Sequence, residues 1–227
     1  MRSLNKNFDE RRSEKLWITM DELLCDAGLS VHDVDLFAVC VGPGGFTGLR
    51  VGMAAAKGLA VAGRKLMIGV TSLEAAAANG VRGIPVVALV NAYKKEVYSQ
   101  LFSFDGMGGL VAENEPAVST FRVALDRVKH LQELLLVGDG AIENDEEIRR
   151  LALEVGDDGN SKHRAWATRV SDSSAEAIGR LAHFRYLKGD AREPEHIAAC
   201  YVRPAEAEIK LAQGLLGSKI AQSRRKG

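Results

Sequence analysis

The sequence predicts an α/β protein of two lobes, and two features of its pattern support that prediction. Up to about residue 80, short apolar runs alternate with stretches of helical periodicity, as is typical of α/β folds. After Gly83 the pattern changes to consecutive strands of alternating character, as in an antiparallel meander. We therefore divide the chain into a first lobe over 1–82, a second lobe over 83–203 and a polar tail over 204–227.

The first lobe is predicted to open with an amphipathic helix over 13–28. Gly28 suits the position just after a helix C-terminus. The continuous apolar run 36–41 predicts a strand that is buried on both faces. The apolar face of the helix follows helical spacing and consists of Leu16, Met20, Leu23, Leu24 and Ala27.

A glycine-rich turn over 42–45 separates this strand from a second predicted helix. That helix is expected to run from Thr47, which is a candidate N-cap, to Ala62, and Gly63 closes it. The residues 65–70 predict the next strand.

Thr71 and Glu74 have the spacing of a capping box, which predicts a third helix that stops at Asn79-Gly80. The second lobe is predicted to begin with antiparallel strands and to continue with helices and single strands. In order, the predicted elements are strands over 84–90, over 96–104 and near Leu110, a helix near 120–132, a strand over 134–137, a helix over 141–154, a polar loop over 156–164, a helix from a Ser173–Glu176 capping box to Lys188, and a strand over 197–202.

Composition excludes two classes of protein. The 227 residues carry 30 basic and 30 acidic side chains, and 46% of them are hydrophobic. Such a chain is not wholly disordered, and it lacks the basic excess of a nucleic-acid coat. We find neither a secretory signal nor an apolar run near the roughly 20 residues that cross a bilayer, so we expect a cytoplasmic protein without membrane contact. The three cysteines lack the spacing of a disulfide framework or a zinc site.

The glycine-rich segment 42–50 is the first candidate for chemistry. A strand, a glycine turn and a helix N-terminus together form a generic anion site. Thr47 stands where a dinucleotide-binding fingerprint needs glycine, and the sequence has no Gly-Lys-Ser/Thr phosphate loop. Two interpretations of this segment stay open. It is either a phosphate site or a turn that lets the following helix pack tightly.

Other catalytic patterns are sparse in the sequence. The five histidines include no i, i+4 pair, and no Gly-x-Ser-x-Gly elbow occurs. Neither a helical metal clamp nor a hydrolase serine is therefore predicted. The basic end Arg224–Lys226 is interpreted as a disordered terminus, with a weak RNA contact as the alternative.

A stripe of small residues recurs at every fourth position along the second predicted helix. Such a stripe lets another helix approach closely, and spacing alone leaves open whether that contact is internal or between chains. The stripe consists of Gly48, Gly52, Ala56 and Ala60.

Four motifs follow one another in the order found in a known family. Together they resemble the bacterial TsaB (YeaZ-like) family over about residues 12–210. The motifs are the segment Gly42–Gly52 with Ala-Lys-Gly-Leu-Ala over 56–60, then Thr71–Glu74, then Glu96–Tyr98, and finally Tyr201–Pro204 with Ala207 and Glu208.

This resemblance implies the actin-like ATPase-domain superfold in two lobes. It implies a non-catalytic subunit of the bacterial complex that makes N6-threonylcarbamoyladenosine at position 37 of tRNA. The direct partner would be a TsaD-like catalytic subunit, with a TsaE-like ATPase and tRNA reached through the complex, and a homodimer is an alternative assembly for the chain alone. No catalytic residue, cofactor or metal of its own is expected.

The resemblance also places the partner contact on the first two helices. In this sequence those helices are the ones predicted over 13–28 and from residue 47 to 62. The expected interface residues are Leu16, Met20, Leu23, Phe46, Thr47, Gly48, Arg50, Gly52, Ala56 and Ala60.

Three departures from the family pattern bear on function. Family members begin with an apolar strand ending in Asp-Thr-Ser and a hairpin, whereas this sequence starts at the first helix, so we expect a first lobe that is incomplete at its N-terminus. Gly45 stands where the family often has serine, and Asn91-Ala92-Tyr93 stands where it usually has Asp-Ala-Arg. The alternatives to the subunit role are a small-molecule kinase or ATPase of the same superfold and a glycoprotease-like metallopeptidase.

Overall fold

The first lobe is a parallel pair of strands enclosed by helices. The computed structural model describes residues 12–92, 94–153, 164–170 and 174–203. Strands β1 and β2 pair in parallel, with Leu36 opposite Leu66 and Cys40 opposite Val70. The elements of this lobe are α1 (Arg12–Ala27), β1 (Leu36–Cys40), α2 (Phe46–Gly63), β2 (Leu66–Val70) and α3 (Ser72–Ala77).

The second lobe is built on a mixed sheet of six strands. Their order is β5-β4-β3-β7-β8, and β6 pairs with β4 beside this path. The β3–β4–β5 part is the antiparallel meander that the sequence predicts, whereas β7 runs parallel to both β3 and β8. The elements are β3 (Val86–Asn91), β4 (Glu96–Phe104), β5 (Leu110–Ala112), β6 (Ala117–Thr120), α4 (Phe121–Asp126), β7 (Glu133–Val137), α5 (Asp139–Glu143), α6 (Asp145–Ala152), β8 (Ala165–Arg169) and α7 (Ala175–Leu187).

Helix α7 lies far along the chain but packs on the sheet of the first lobe. Its buried residues Ala177, Ile178 and Ala182 share one cluster with Ile68 and Val70 of β2. Helix α2 packs on the opposite face of the β1–β2 pair. The division of the sequence at residue 82 therefore remains a proposal, because α7 and the first lobe form one packed unit in space.

Helix α3 connects the two lobes. Its residue Leu73 packs with Val86 and Phe102 of the second sheet. Its residue Ala75 packs with Ala177 of α7. Because α3 contacts apolar elements on two sides, it is almost completely buried, and most of its side chains are small and apolar.

Several predicted helix ends are confirmed. Gly28 takes the left-handed conformation, with φ +68°, and its amide donates to the Cys25 carbonyl at 2.9 Å. The capping box at the start of α3 is present, with the amide of Glu74 donating to the hydroxyl of Thr71 at 3.0 Å. Helix α2 ends one residue later than predicted, since Gly63 is its last residue and Arg64 rather than Gly63 adopts the left-handed cap conformation.

The expected N-caps of α2 and α7 are wrong. Helix α2 begins at Phe46 with Gly45 as N-cap, because the amide of Leu49 donates to the Gly45 carbonyl at 3.0 Å and draws Thr47 into the first turn. Helix α7 is capped by Ser174, whose hydroxyl accepts from the amide of Ala177 at 3.2 Å. Ser173 of the expected capping box lies outside the described residues.

Two predicted helices of the second lobe differ in extent from expectation. The one expected near 120–132 starts at Phe121, after the hydroxyl of Thr120 as its cap, but it ends at Asp126. The one expected over 141–154 is the pair α5 and α6, divided at Asn144. The Asn144 side chain donates to the Gly140 carbonyl at 2.8 Å, so a side-chain bond competes with the helical ladder there.

The ends of the second lobe also differ from expectation. The residues 197–202 form no strand, because Cys200 makes one isolated backbone bond to Val41 rather than a ladder. Strand β8 was not expected, and it exists through its pairing with β7. Of the polar loop over 156–164, only Arg164 is described, and the tail over 204–227 lies outside the described residues.

Candidate partner interface

The glycine-rich loop is held against α3 and against the C-terminal part of the chain. The Ser72 amide donates to the Gly42 carbonyl at 2.8 Å, and the Ser72 hydroxyl donates to the Pro43 carbonyl at 2.5 Å. Gly42 has φ +94°, and a side chain there would meet Leu49 and the Cys200 carbonyl at 3.0 and 3.3 Å. These contacts favour the interpretation of the loop as a tightly packed turn. The positive φ and the close neighbours at position 42 can be accommodated only by glycine.

The predicted stripe of small residues divides between surface and core. Gly48 is exposed, and side chains built at Gly48 or Gly52 would meet nothing within 4 Å. Ala56 is half-buried against the core of the first lobe. Ala60 is 0% exposed within the same cluster, so its assignment to an accessible interface is wrong: the β1–β2 pair already covers it.

Helix α1 carries apolar surface on two sides. The predicted residues Leu16, Met20 and Leu23 are half-buried. Trp17 and Ile18, which the helical periodicity did not select, are 50% and 60% exposed. Within the described part of the chain, α1 packs extensively on no other helix or strand, and part of its apolar surface is exposed.

A compact aromatic cluster lies at the N-terminal end of α2. The guanidinium carbon of Arg50 lies 3.7 Å from the ring centre of Phe46, a cation–π contact. The Arg50 Nε–H donates to the Tyr201 hydroxyl at 3.3 Å, and the rings of Phe46 and Tyr201 lie 6.0 Å apart. We name these three residues the aromatic cluster; Thr47 beside it is exposed.

Tyr201 is the member of this cluster that sequence reasoning missed. It belongs to the fourth motif, but nothing in the spacing of that motif places it beside α2, 151 residues earlier in the chain. Phe46 and Tyr201 stay 43% and 52% exposed, so the cluster offers aromatic surface around a cation. Such a surface can bind an apolar side chain and a carboxylate of a partner together.

Reactive side chains do not converge on a catalytic arrangement in the described residues. Burial raises the pKa of the Cys40 and Cys200 thiols, and all three cysteines are free. No group of three His, Cys, Asp or Glu side chains in the described ranges could hold a metal ion. Asn91 is engaged with α5, since its side-chain amide donates to Glu143 at 2.6 Å.

Among the helices in the described ranges, none is both long enough and apolar enough to span a bilayer.

Comparison with known proteins gives one family match. The family model described as "TsaD: tRNA N6-adenosine threonylcarbamoyltransferase" matches residues 8–147, which is more than half of the chain. This span includes the glycine-rich loop, α2 and the first strands of the second lobe.

Two of the curated relatives carry the same name and come from different bacteria. The "tRNA threonylcarbamoyladenosine biosynthesis protein TsaB" of Escherichia coli (strain K12) is 30% identical over 145 residues, or 61% of this chain and 63% of that protein. The protein of the same name from Haemophilus influenzae is 34% identical over 98 residues, or 42% of each chain. The matched segments thus span about two fifths to three fifths of these relatives.

The solved structures extend the likeness over most of the chain. A crystal structure from Pseudomonas aeruginosa, titled as an uncharacterized protein with similarity to peptidase YEAZ, superposes with a TM-score of 0.66. It is 25% identical, and the match covers 84% of this chain and 83% of that one. Together with the family match and the two α/β lobes, this establishes the actin-like ATPase-domain superfold. The chain therefore belongs to the tRNA N6-adenosine threonylcarbamoyltransferase (TsaD) family, and within it the chain is a TsaB/YeaZ-like protein.

Proposed function

We propose that this chain is a non-catalytic subunit of the bacterial complex that makes N6-threonylcarbamoyladenosine at position 37 of tRNA. Its direct partner is a TsaD-like catalytic subunit, which it binds and supports. The names of its curated relatives support a role in this pathway, and its family match supports a TsaD-like partner. A TsaE-like ATPase and tRNA are reached through the complex, which acts in the cytoplasm.

The observation that carries the proposal is the exposed apolar surface of α1, taken together with the open part of α2. Trp17 and Ile18 are exposed, and the surface above Gly48 and Gly52 is empty. A helix of a partner that lies along Gly48 and Gly52 could approach the α2 backbone closely. Leu16, Met20 and Leu23 then complete a bundle of helices from two chains.

The metallopeptidase alternative gains no support from the described residues. The described histidines, which are His32, His130, His183 and His196, are all exposed and lie on separate elements or turns. A kinase or ATPase role would depend on the glycine-rich loop, whose Gly42 is occupied by packing against Leu49 and Cys200. Titration calorimetry with ATP at millimolar concentration would revive that role if it showed saturable binding.

The subunit role is tested by mixing the purified chain with its cognate TsaD and measuring mass by size-exclusion chromatography with light scattering. We expect a heterodimer, and a homodimer is the competing assembly for the chain alone. An assay of threonylcarbamoyl transfer to tRNA should show no product with this chain alone and more product when it is added to TsaD. A chain that stays separate from TsaD at micromolar concentration would contradict the role.

The interface is tested by Gly52→Leu. The added side chain enters open space, so the thermal midpoint should stay near that of the wild type, while the partner helix is kept at a distance. Gly179→Leu is the matched control, because Gly179 of α7 is exposed and equally unobstructed. Wild-type affinity of the Gly52→Leu variant would show that the partner binds elsewhere.

A further inference from the structure

The segment Ile197–Arg203, which we name the C-terminal strap, crosses from the first lobe to the second. At its start Ile197 is 7% exposed in the core of the first lobe. Next, the Cys200 amide donates to the Val41 carbonyl at 2.7 Å, just beyond the end of β1. These contacts fix the first four residues of the strap over the glycine-rich loop.

The far end of the strap is fixed to the other lobe. The Arg203 guanidinium forms an ion pair with the Glu96 carboxylate at the start of β4. Both side chains are only 26% exposed, so solvent screens this pair less than a surface pair. Glu96 is itself held in the sheet, where it lies opposite Thr120 of β6.

Tyr201 lies between these two anchors. Cys200, with its backbone hydrogen bond, comes one residue before Tyr201. Arg203, with its ion pair, comes two residues after it. Two residues of extended chain reach at most about 7 Å, so both anchors restrict where the tyrosine can lie. With half of its surface exposed, Tyr201 gains little burial of its own that could hold it beside Phe46 and Arg50.

We propose that Glu96 and Arg203 are positioning residues for the partner surface. Their ion pair holds Tyr201 in the aromatic cluster. In this way a residue of the second lobe determines the arrangement of an interface on the first lobe. The inference rests on the proposed function, because the surface being positioned is the one offered to TsaD. It joins the third and fourth sequence motifs, which lie 107 residues apart and meet in this ion pair. Neither residue needs to touch the partner.

The test measures affinity for cognate TsaD by titration calorimetry with the full chain. Arg203→Glu and Glu96→Arg should each weaken binding about five- to tenfold, the range of a modest coupling between sites. The double variant Glu96→Arg/Arg203→Glu should bind within about twofold of the wild type, since the ion pair is restored in reverse. Arg122→Glu is the matched control, because Arg122 forms an exposed ion pair with Glu147 in the same lobe.

Thermal midpoints separate positioning from unfolding. Rescue by the double variant shows that the effect on binding acts through the Glu96–Arg203 ion pair, and single variants that bind weakly at a wild-type thermal midpoint show that it is not a loss of folding. Single variants that bind like the wild type would overturn the inference and leave the proposed function standing. Weakened binding that the double variant fails to restore would overturn it too.

A second measurement distinguishes failure of the inference from failure of the proposed function. Amide hydrogen exchange of the free chain should be faster at residues 46–50 in Arg203→Glu than in the wild type or in Arg122→Glu. If the wild type does not bind TsaD, the proposed function fails, and this exchange still decides whether the strap positions the aromatic cluster. Equal exchange in all three proteins would overturn that positioning.

Discussion

Arg185 of α7 and Glu74 of α3 form an ion pair that joins two helices 111 residues apart in sequence. Arg185 also donates to the Gly69 carbonyl at 3.0 Å, so one guanidinium holds α7 to both α3 and β2. Glu74 accepts as well from the Thr71 amide at 2.8 Å, which closes the capping box. A single carboxylate thus begins α3 and joins it to α7.

We expect Glu74→Ala to destabilise the protein by about 1–3 kcal/mol, because it removes the capping contact and leaves Arg185 with a partly buried charge. Glu74→Gln should cost less, since the amide oxygen can still accept from Thr71. Urea unfolding followed by circular dichroism measures both. If the two variants lose the same stability, the capping contact contributes nothing measurable.

Gly138→Ala should be among the most destabilising single changes in the second lobe. Gly138 has φ +100°, and an added Cβ would lie 2.2 Å from the Leu89 carbonyl oxygen. We expect a loss of at least about 2 kcal/mol. Gly179→Ala is the control, and it should stabilise α7 by about 0.5–1 kcal/mol, since an exposed helical position favours alanine. Equal midpoints for the two variants in thermal unfolding would contradict the geometry at Gly138.

Ala60→Leu should damage folding rather than binding alone. Ala60 is fully buried beneath the first-lobe sheet, so three extra carbons overpack a filled site at a cost of about 1–3 kcal/mol. Ala54→Leu adds the same atoms to an exposed position of α2 and should change stability by less than about 0.5 kcal/mol. Denaturant midpoints of the two variants decide the matter. An unaffected Ala60→Leu variant would mean that the stripe faces outward over its full length.

Asp145 should make stability depend on pH in the acid range. The Thr168 hydroxyl, and then Arg149, hold the pKa of its carboxyl below the ordinary value of about 3.9. A lowered pKa means that this carboxylate stabilises the fold fully above roughly pH 5 and loses that contribution as pH falls through its folded-state pKa. Asp145→Asn should therefore be less stable than the wild type at pH 7, and the difference should shrink by pH 3.

The measurement is urea unfolding at several pH values between 3 and 7. Glu146→Gln is the control, because Glu146 lies in the same turn of α6 and is exposed. Parallel pH profiles for Asp145→Asn and the wild type would show that the bond to Thr168 does not influence stability.

The parts of the fold that depend on local signals were predictable. The extent of α1, the capping box at Thr71 and the β3–β4 meander all follow from residues close together in sequence. Strands β6 and β8 were missed because each is stabilised by a partner strand elsewhere in the chain rather than by its own pattern. The strap was mistaken for a strand because the apolar residues Ile197 and Val202 suggest one, although separate contacts fix its path.

The candidate site shows the same limit. Phe46 and Arg50 were expected at the interface from the motif that contains them. Tyr201 could not be placed beside them, since its position depends on the path of the chain after α7. The burial of Ala60 was equally hidden, because periodicity marks a face of a helix but does not say which neighbour covers it.

The return of α7 to the first lobe has a consequence for biosynthesis. During translation β1 and β2 leave the ribosome long before α7 does. Ile68 and Val70 therefore lack the helix that buries them while the whole second sheet is being synthesised. The first lobe to be translated is thus the last to be completed. Proteolysis of nascent chains stalled before and after residue 187 should show this as protection of the β1–β2 region that arrives only in the longer chain.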